Sequence, residues 1–238
     1  MDQPDGRPAR PQPREPDGDP GAAVGTSTAA GATVDPDAAA RDPEGALVVV
    51  DVQNDFCPGG ALAVPQGDRV VPVLNRWIDA FRRAGRVVVY TQDWHPQDHV
   101  SFRQRGGPWP PHCIQGTRGA AFHPDLLVQG TVFRKGFDAD REAYSGFDGA
   151  LARGETGVEP EVDLAGWLRQ QGVRRLYVGG LATDYCVRAT VLDGLREGFQ
   201  VTVLVPAVRA VDVSPGDGRR ALEEMQARGA VLAGGEAP

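Results

Sequence analysis

ALVVV, at residues 46–50, is a continuous apolar run that is followed directly by Asp51. A short run of this kind is typical of a central parallel strand that is buried on both faces. Similar strand-like segments follow it along the chain, at residues 86–90, 131–135, 174–178, 200–205 and 230–233. Segments with helical spacing of apolar residues lie between most of them, at residues 69–84, 162–171, 184–198 and 214–228. This alternation predicts an α/β fold in which helices cover both faces of a parallel sheet.

Other segments lack these patterns. Residues 1–44 are rich in Pro, Gly, Asp and Ala without apolar periodicity. Such a segment cannot bury enough apolar surface to offset its loss of entropy, so we expect a disordered tail and one domain over residues 45–238. We interpret residues 136–160 as a loop. We expect the last helix to have Ser214 as its N-cap and Pro215 at its first position.

The composition argues against several functions. The net charge of -7 does not suit a surface for nucleic acid or anionic membrane, since phosphate binding needs clustered Lys and Arg. No apolar run approaches the roughly 20 residues that a membrane span requires. The three cysteines, Cys57, Cys113 and Cys186, cannot all pair within one chain, and the chain does not start like a signal peptide. We therefore expect reduced thiols and a cytoplasmic location; a homo-oligomer stays an open question.

Chemically distinct residues lie at the carboxyl ends of the predicted strands. Asp51 ends the first strand, Asp93 and His95 the second, and Lys135 the third, while Cys186 opens the helix after the fourth. Ligands of such sheets bind in the crevice beyond these strand ends. Lys135 is also the only lysine among 25 Lys and Arg residues, although chance survival would explain that too. We expect these residues to form one site.

The segment TQDWHPQDHVSFRQRGGPWPPHCIQGTRGAAFH, at residues 91–123, has no helical period and is interpreted as a long loop. It contains all four histidines of the chain. A divalent metal bound by Asp93, His95 and His112 would give this loop something to fold around. Carboxylate and imidazole suit Zn, Fe or Mn rather than Ca or Mg, and we take zinc as the first candidate. The alternative is that these histidines are ordinary surface residues.

Cys186 is the candidate nucleophile. It lies near the start of a predicted helix, whose positive end lowers the pKa of a thiol, as a nearby Lys135 would. Asp51 could accept the proton, with Asp55 as a competing candidate. The backbone amides of Ala182 and Cys186 could form an oxyanion hole. The alternative is a buried, inert core thiol, the commonest state of a free cysteine.

Five motifs occur in order: DVQNDFCPGGALAV (51–64), DWHPQDHVSF (93–102), WPPHCIQGTRGAAFHP (109–124), the pair KG (135–136) and GLATDYCV (180–187). Together they resemble the nicotinamidase branch of the isochorismatase-like cysteine hydrolases, from residue 46 to nearly the end of the chain. The resemblance implies a three-layer α/β/α fold with a six-stranded parallel sheet. It also implies hydrolysis of nicotinamide to nicotinate and ammonia through a cysteine thioester, with a divalent metal bound and with pyrazinamide as a second substrate.

The resemblance further implies roles for individual residues. These are a catalytic triad of Asp51, Lys135 and Cys186, metal ligands Asp93, His95 and His112, and a substrate-binding set of Phe56, Trp109, Leu181 and Ala182. His99 matches a position that binds metal in some members of the family and not in others, so it stays an open candidate. The bond between Leu181 and Ala182 matches a cis peptide.

Three alternatives remain beside this interpretation. Another amide or ureido hydrolase of the same family would act on a linear substrate, although such relatives generally lack the Asp-x-His and WPPHC motifs. A hydrolase that uses only metal-activated water would need Cys186 for packing alone. A catalytically inactive binding module would lack at least one of Asp51, Lys135 and Cys186, and none is missing.

Overall fold

The computed structural model describes residues 34–234, so most of the predicted tail at residues 1–44 lies outside the described residues. The helices are α1 (Pro36–Ala39), α2 (Val70–Arg83), α3 (Leu164–Gln170), α4 (Arg188–Arg196) and α5 (Asp217–Ala227). The strands are β1 (Gly45–Val50), β2 (Val87–Asp93), β3 (Thr131–Lys135), β4 (Ala150–Arg153), β5 (Gly157–Asp163), β6 (Arg175–Leu181), β7 (Gln200–Arg209) and β8 (Val231–Ala233). No helix among these has the length and apolar character that crossing a membrane requires.

One eight-stranded sheet forms the middle layer, in the order β5-β4-β3-β2-β1-β6-β7-β8. The six strands predicted from apolar runs are present, and they pair in parallel. The prediction of six strands was nevertheless wrong by two, because β4 and β5 add antiparallel strands within residues 136–163. Strand β5 lies at the edge, is largely exposed and contains Pro160, so it lacks the apolar pattern of a central strand.

The two faces of the sheet carry separate hydrophobic cores. Leu47 and Val49 of β1 face one core, and Val48 and Val50 face the other, because successive side chains of a strand point in opposite directions. Helices α1 and α2 cover the first face, while α3, α4 and α5 cover the second. The predicted three-layer α/β/α arrangement is therefore confirmed.

Several element ends differ from the predictions; β2 and β7, for example, extend to Asp93 and Arg209. Helix α1 lies inside the segment predicted as tail: Asp35 accepts a hydrogen bond from the Ala38 N–H, and Ala39 packs into the core beside α2. Helix α5 begins at Asp217 rather than at Pro215. Gly216, with φ of 84°, has a left-handed conformation that no α-helix contains, so Ser214 cannot be the N-cap.

The strand order brings the candidate site residues to one edge of the sheet. Strands β3, β2, β1 and β6 are neighbours, and all four run in the same direction. Asp93 at the end of β2 is in register with Lys135 at the end of β3. Asp51 directly follows β1, and a π-helical turn at Thr183–Val187 follows β6 and carries Cys186.

Candidate active site

The ammonium group of Lys135 lies at the centre of a buried cluster. Its Nζ is 2.9 Å from Oδ2 of Asp51 and 3.4 Å from Sγ of Cys186, and it also donates to Oδ1 of Asp93. Lys135 and Asp51 have no exposed surface, and Cys186 is 6% exposed. The three residues of the predicted triad therefore meet, although they are far apart in the sequence.

The two carboxylate oxygens of Asp51 have different surroundings. Oδ1 accepts a hydrogen bond of 2.6 Å from the Thr91 hydroxyl. Oδ2 is buried and accepts no hydrogen bond from the described residues, although it pairs electrostatically with Lys135. One oxygen of Asp51 and the sulfur of Cys186 lie within 4.8 Å of each other. Oδ2 is thus the oxygen that remains free to exchange a proton with the thiol.

The ionisation of the cluster differs in part from the expectation. Burial raises the pKa of the Cys186 thiol well above its ordinary value, and the charge of Lys135 opposes this only in part. The predicted lowering of the Cys186 pKa was therefore wrong for this buried environment. Burial also raises the pKa of Asp51, despite Lys135. The pKa of Lys135 itself is raised: burial disfavours its charge, but Asp51 and Asp93 outweigh this effect.

Asp93, His95 and His112 lie beside this cluster as a set of donors suited to a metal ion. Each is buried, and one candidate ligand atom from each lies within 4.8 Å of the others. Nδ1 of His95 is 3.0 Å from the carbonyl oxygen of Gly136, and Nδ1 of His112 is 2.8 Å from that of Pro110. These carbonyls hold a proton on each Nδ1, so each Nε2 presents a free lone pair in the neutral ring.

His99 and His123, the other two histidines, have different surroundings. The ring of His99 lies against that of His95, with centroids 4.2 Å apart. Both of its nitrogens have protein partners, the Ser101 hydroxyl at 2.7 Å and the Arg141 carbonyl oxygen at 3.0 Å. His123 lies away from the donor set, and its Nδ1 accepts from the backbone N–H of Asp125.

A cavity opens onto the thiol and the donor set. Phe56, Trp109 and Ala182 from the predicted substrate-binding set line it, together with Tyr144 and Tyr185. Trp109 donates its indole N–H to the Tyr144 hydroxyl at 3.0 Å and packs edge-on against Tyr185, with centroids 5.0 Å apart. Neither tyrosine was predicted from the sequence. Tyr144 lies in the segment interpreted as loop, and only its place in the AYSGF run could have suggested it.

Leu181, Asp55 and two cysteines do not reach this cavity. The peptide bond between Leu181 and Ala182 is cis, as predicted, but the Leu181 side chain is buried in the core. Asp55 accepts hydrogen bonds from the backbone N–H groups of Ala61 and Cys113, so it holds loops together. Cys57 and Cys113 are buried free thiols, and neither lines the cavity.

The comparisons with known proteins agree with one another. The family model of the isochorismatase domain matches residues 45–237. The nicotinamidase of Escherichia coli K12 is 43% identical over 208 residues, which cover 80% of this chain and 94% of that protein. Among solved structures, the pyrazinamidase of Pyrococcus horikoshii in complex with zinc has a TM-score of 0.72 and 49% identity, and the match covers 81% of this chain and 99% of that one. A protein of L. infantum in complex with nicotinate has a TM-score of 0.70 and 36% identity, with 86% and 96% covered.

Proposed function

The chain belongs to the isochorismatase family, and on this basis we propose that it hydrolyses nicotinamide to nicotinate and ammonia. One observation carries the proposal: the Lys135 ammonium is in contact with both Asp51 and Cys186, directly beside the donor set of Asp93, His95 and His112. A nucleophile, a proton acceptor and a place for a cation thus face the same aromatic-lined cavity.

Asp93, His95 and His112 would hold one divalent cation, with zinc as the first candidate and iron or manganese as alternatives. The zinc complex of the Pyrococcus horikoshii pyrazinamidase supports this assignment. When bound, such a cation supplies a positive centre that attracts the pyridine nitrogen of the substrate. We leave His99 out of the set, because both of its nitrogens have protein partners.

The substrate ring would lie between Phe56 and Trp109, with its carboxamide carbon at the sulfur of Cys186. Asp51 Oδ2 takes the thiol proton as the sulfur attacks that carbon. The backbone N–H groups of Ala182 and Cys186 would stabilise the oxyanion that forms. Asp51 then gives the proton to the leaving nitrogen, so ammonia departs and a thioester remains.

Water completes the cycle. Asp51 takes a proton from a water molecule as its oxygen attacks the thioester carbon, and the thiolate of Cys186 leaves. The proton on Asp51 returns to the sulfur, and the product is nicotinic acid, which loses its own proton to the released ammonia and so becomes nicotinate beside ammonium. Burial raises the pKa of both Asp51 and Cys186, so each group is a better proton acceptor here than in water. Lys135 balances the negative charge in each step.

The proposal is tested by measuring ammonia release from nicotinamide with the metal-loaded protein. We expect activity in the wild type, and we expect C186A to lose it while zinc stays bound. The matched control is C57A, which removes a buried thiol outside the cavity and should remain active. Full activity of C186A would overturn the covalent mechanism.

Substrate breadth and location are the remaining parts of the proposal. We propose pyrazinamide as a second substrate, because it too is a heteroaromatic carboxamide, and a linear ureido substrate should be hydrolysed much more slowly. Faster hydrolysis of the linear compound would favour the alternative family activity. We also propose a cytoplasmic location, supported by three cysteines that all remain free. Fractionation of cells would test it.

A further inference from the structure

The turn between β4 and β5 is held by two side chains, one from β3 and one from the residue that follows β2. Arg134 of β3 donates to the carbonyl oxygens of Gly154, Glu155 and Gly157, at 3.4, 2.7 and 2.9 Å. The indole N–H of Trp94 donates to the carbonyl oxygen of Thr156 at 3.1 Å. Four successive carbonyl groups of the turn are therefore bound by Arg134 and Trp94.

These two side chains also contact each other. The guanidinium carbon of Arg134 lies 4.1 Å from the centre of the Trp94 ring, a cation–π contact, and Nε donates to Gln92 Oε1 at 3.0 Å. Arg134 is 7% exposed and Trp94 is 5% exposed. Among the described residues Arg134 has no carboxylate partner, so only neutral oxygens and the indole face satisfy its buried charge. Any replacement leaves several of these groups unpaired.

Both residues are neighbours of the candidate site in the sequence. Arg134 immediately precedes Lys135, and Trp94 lies between Asp93 and His95. The backbone N–H of Trp94 donates to the carbonyl oxygen of Lys135 at 2.9 Å. A shift of Arg134 or Trp94 must therefore move the main chain that carries the lysine and two of the metal donors.

We propose that Arg134 and Trp94 are positioning residues, which fix Lys135, Asp93 and His95 by tying the ends of β2 and β3 to the β4–β5 turn. This inference rests on the proposed function, because it assigns a purpose to the geometry of that site. Supporting groups of this kind typically change metal affinity or activity about 10- to 100-fold when they are removed. Coupling is reciprocal, so a metal bound by Asp93 and His95 must in turn stabilise the turn at residues 154–157.

The test compares R134Q and R134K with the wild type. Zinc affinity is measured by competition with a chromophoric chelator. We expect the zinc affinity of R134Q to be at least about tenfold lower than that of the wild type. R134K should lose less affinity, since lysine keeps the charge although it cannot bond the three carbonyl oxygens together. At saturating zinc, kcat for nicotinamide should fall more than KM rises, because Lys135 serves the chemistry rather than ring binding.

Hydrogen exchange gives a readout that does not depend on activity. In the wild type, zinc should slow exchange in the peptide that spans residues 150–158, and in R134Q this effect should be much smaller. The matched control is R175Q, which removes a partly buried arginine bonded to Asp42 and Gln200 at the opposite end of the sheet. It should lower Tm without changing zinc affinity. If R134Q does not fold, W94F, which removes the bond to Thr156 and reduces the aromatic face beneath Arg134, should show a smaller loss of zinc affinity.

The outcomes separate the two proposals. A folded R134Q with wild-type zinc affinity and kcat would overturn the positioning role. So would a wild type in which zinc does not change the rate of hydrogen exchange at the turn. A wild type that binds zinc but does not hydrolyse nicotinamide would overturn the proposed function, and the zinc and exchange data would still decide the positioning role. A wild type that binds none of zinc, iron and manganese would overturn both.

Discussion

At the scale of single residues, the buried charge of Lys135 has the largest energetic consequence. It faces Asp51 and Asp93 in a region without exposed surface, so its removal leaves two carboxylates without their counter-charge. Breaking a buried ion pair by removing one partner costs about 3–5 kcal/mol. We expect K135M to lower the free energy of unfolding of the metal-free protein by about that amount, and to abolish activity. Urea unfolding measures the first effect, and an unchanged midpoint would contradict it.

The three thiols should differ in their reaction with iodoacetamide. Burial raises the pKa of Cys57 to about 11 and that of Cys113 well above its ordinary value, and neither lines the cavity. Cys186 also has a raised pKa, but it lines the cavity and contacts Lys135. We expect mass spectrometry to find Cys186 alkylated first, with loss of activity, and nicotinamide to slow the reaction. Retained activity after complete alkylation of Cys186 would favour hydrolysis by metal-activated water.

At the scale of elements, Asp184 joins two loops that form the site. Its two carboxylate oxygens accept from the backbone N–H groups of Val211 and Asp212, each at 2.9 Å. Asp184 belongs to the turn that carries Cys186, while Val211 lines the cavity. We expect D184A to raise KM for nicotinamide about tenfold, the effect of losing one or two hydrogen bonds, with a smaller loss in kcat. D184N, which keeps one acceptor, should be milder, and equal effects of the two variants would contradict this role.

Elements with a buried, continuous pattern could be predicted from the sequence, whereas exposed elements could not. Strand β1 is buried over its whole length and β6 over all but its first residue, Arg175, because helices cover both of their faces. Strand β5 is mostly exposed, so its residues GVEPEVD carry no such signal. Tyr144 was not predicted either, because it enters the cavity from the segment before β4, which also lacks a continuous apolar pattern. The start of α5 depended on the conformation of Gly216, which composition alone does not reveal.

At the scale of the whole molecule, the parallel topology makes the candidate site predictable from chain order. Residues that end neighbouring strands must meet at one edge, and Asp51, Asp93 and Lys135 do so. Distances and surroundings could not be predicted in the same way. That Cys186 is buried deeply enough to raise its pKa, and that His99 has partners for both nitrogens, depends on side chains brought together from several loops.

Metal binding should stabilise the whole domain. A ligand that binds only the folded state at 100 times its Kd adds about 2.7 kcal/mol to stability. We therefore expect zinc to raise Tm of the chelator-treated wild type. H112A should lose this shift, because it removes one of the three donors, while H123A should keep it, because His123 lies outside the donor set. Differential scanning fluorimetry measures each shift, and an equal zinc effect in both variants would contradict the assignment.

The two outer strands of the sheet limit how copies of the chain can meet. Pro160 in β5 has no N–H to offer a neighbouring strand, and Glu159 and Glu161 on either side of it would repel the same residues of a second copy. Strand β8, at the opposite border, has only three residues. Neither border offers a template for continuing the sheet into another molecule. Fibre-like stacking through these two borders is thereby disfavoured, and among the described residues the helices and loops offer the better surfaces for assembly.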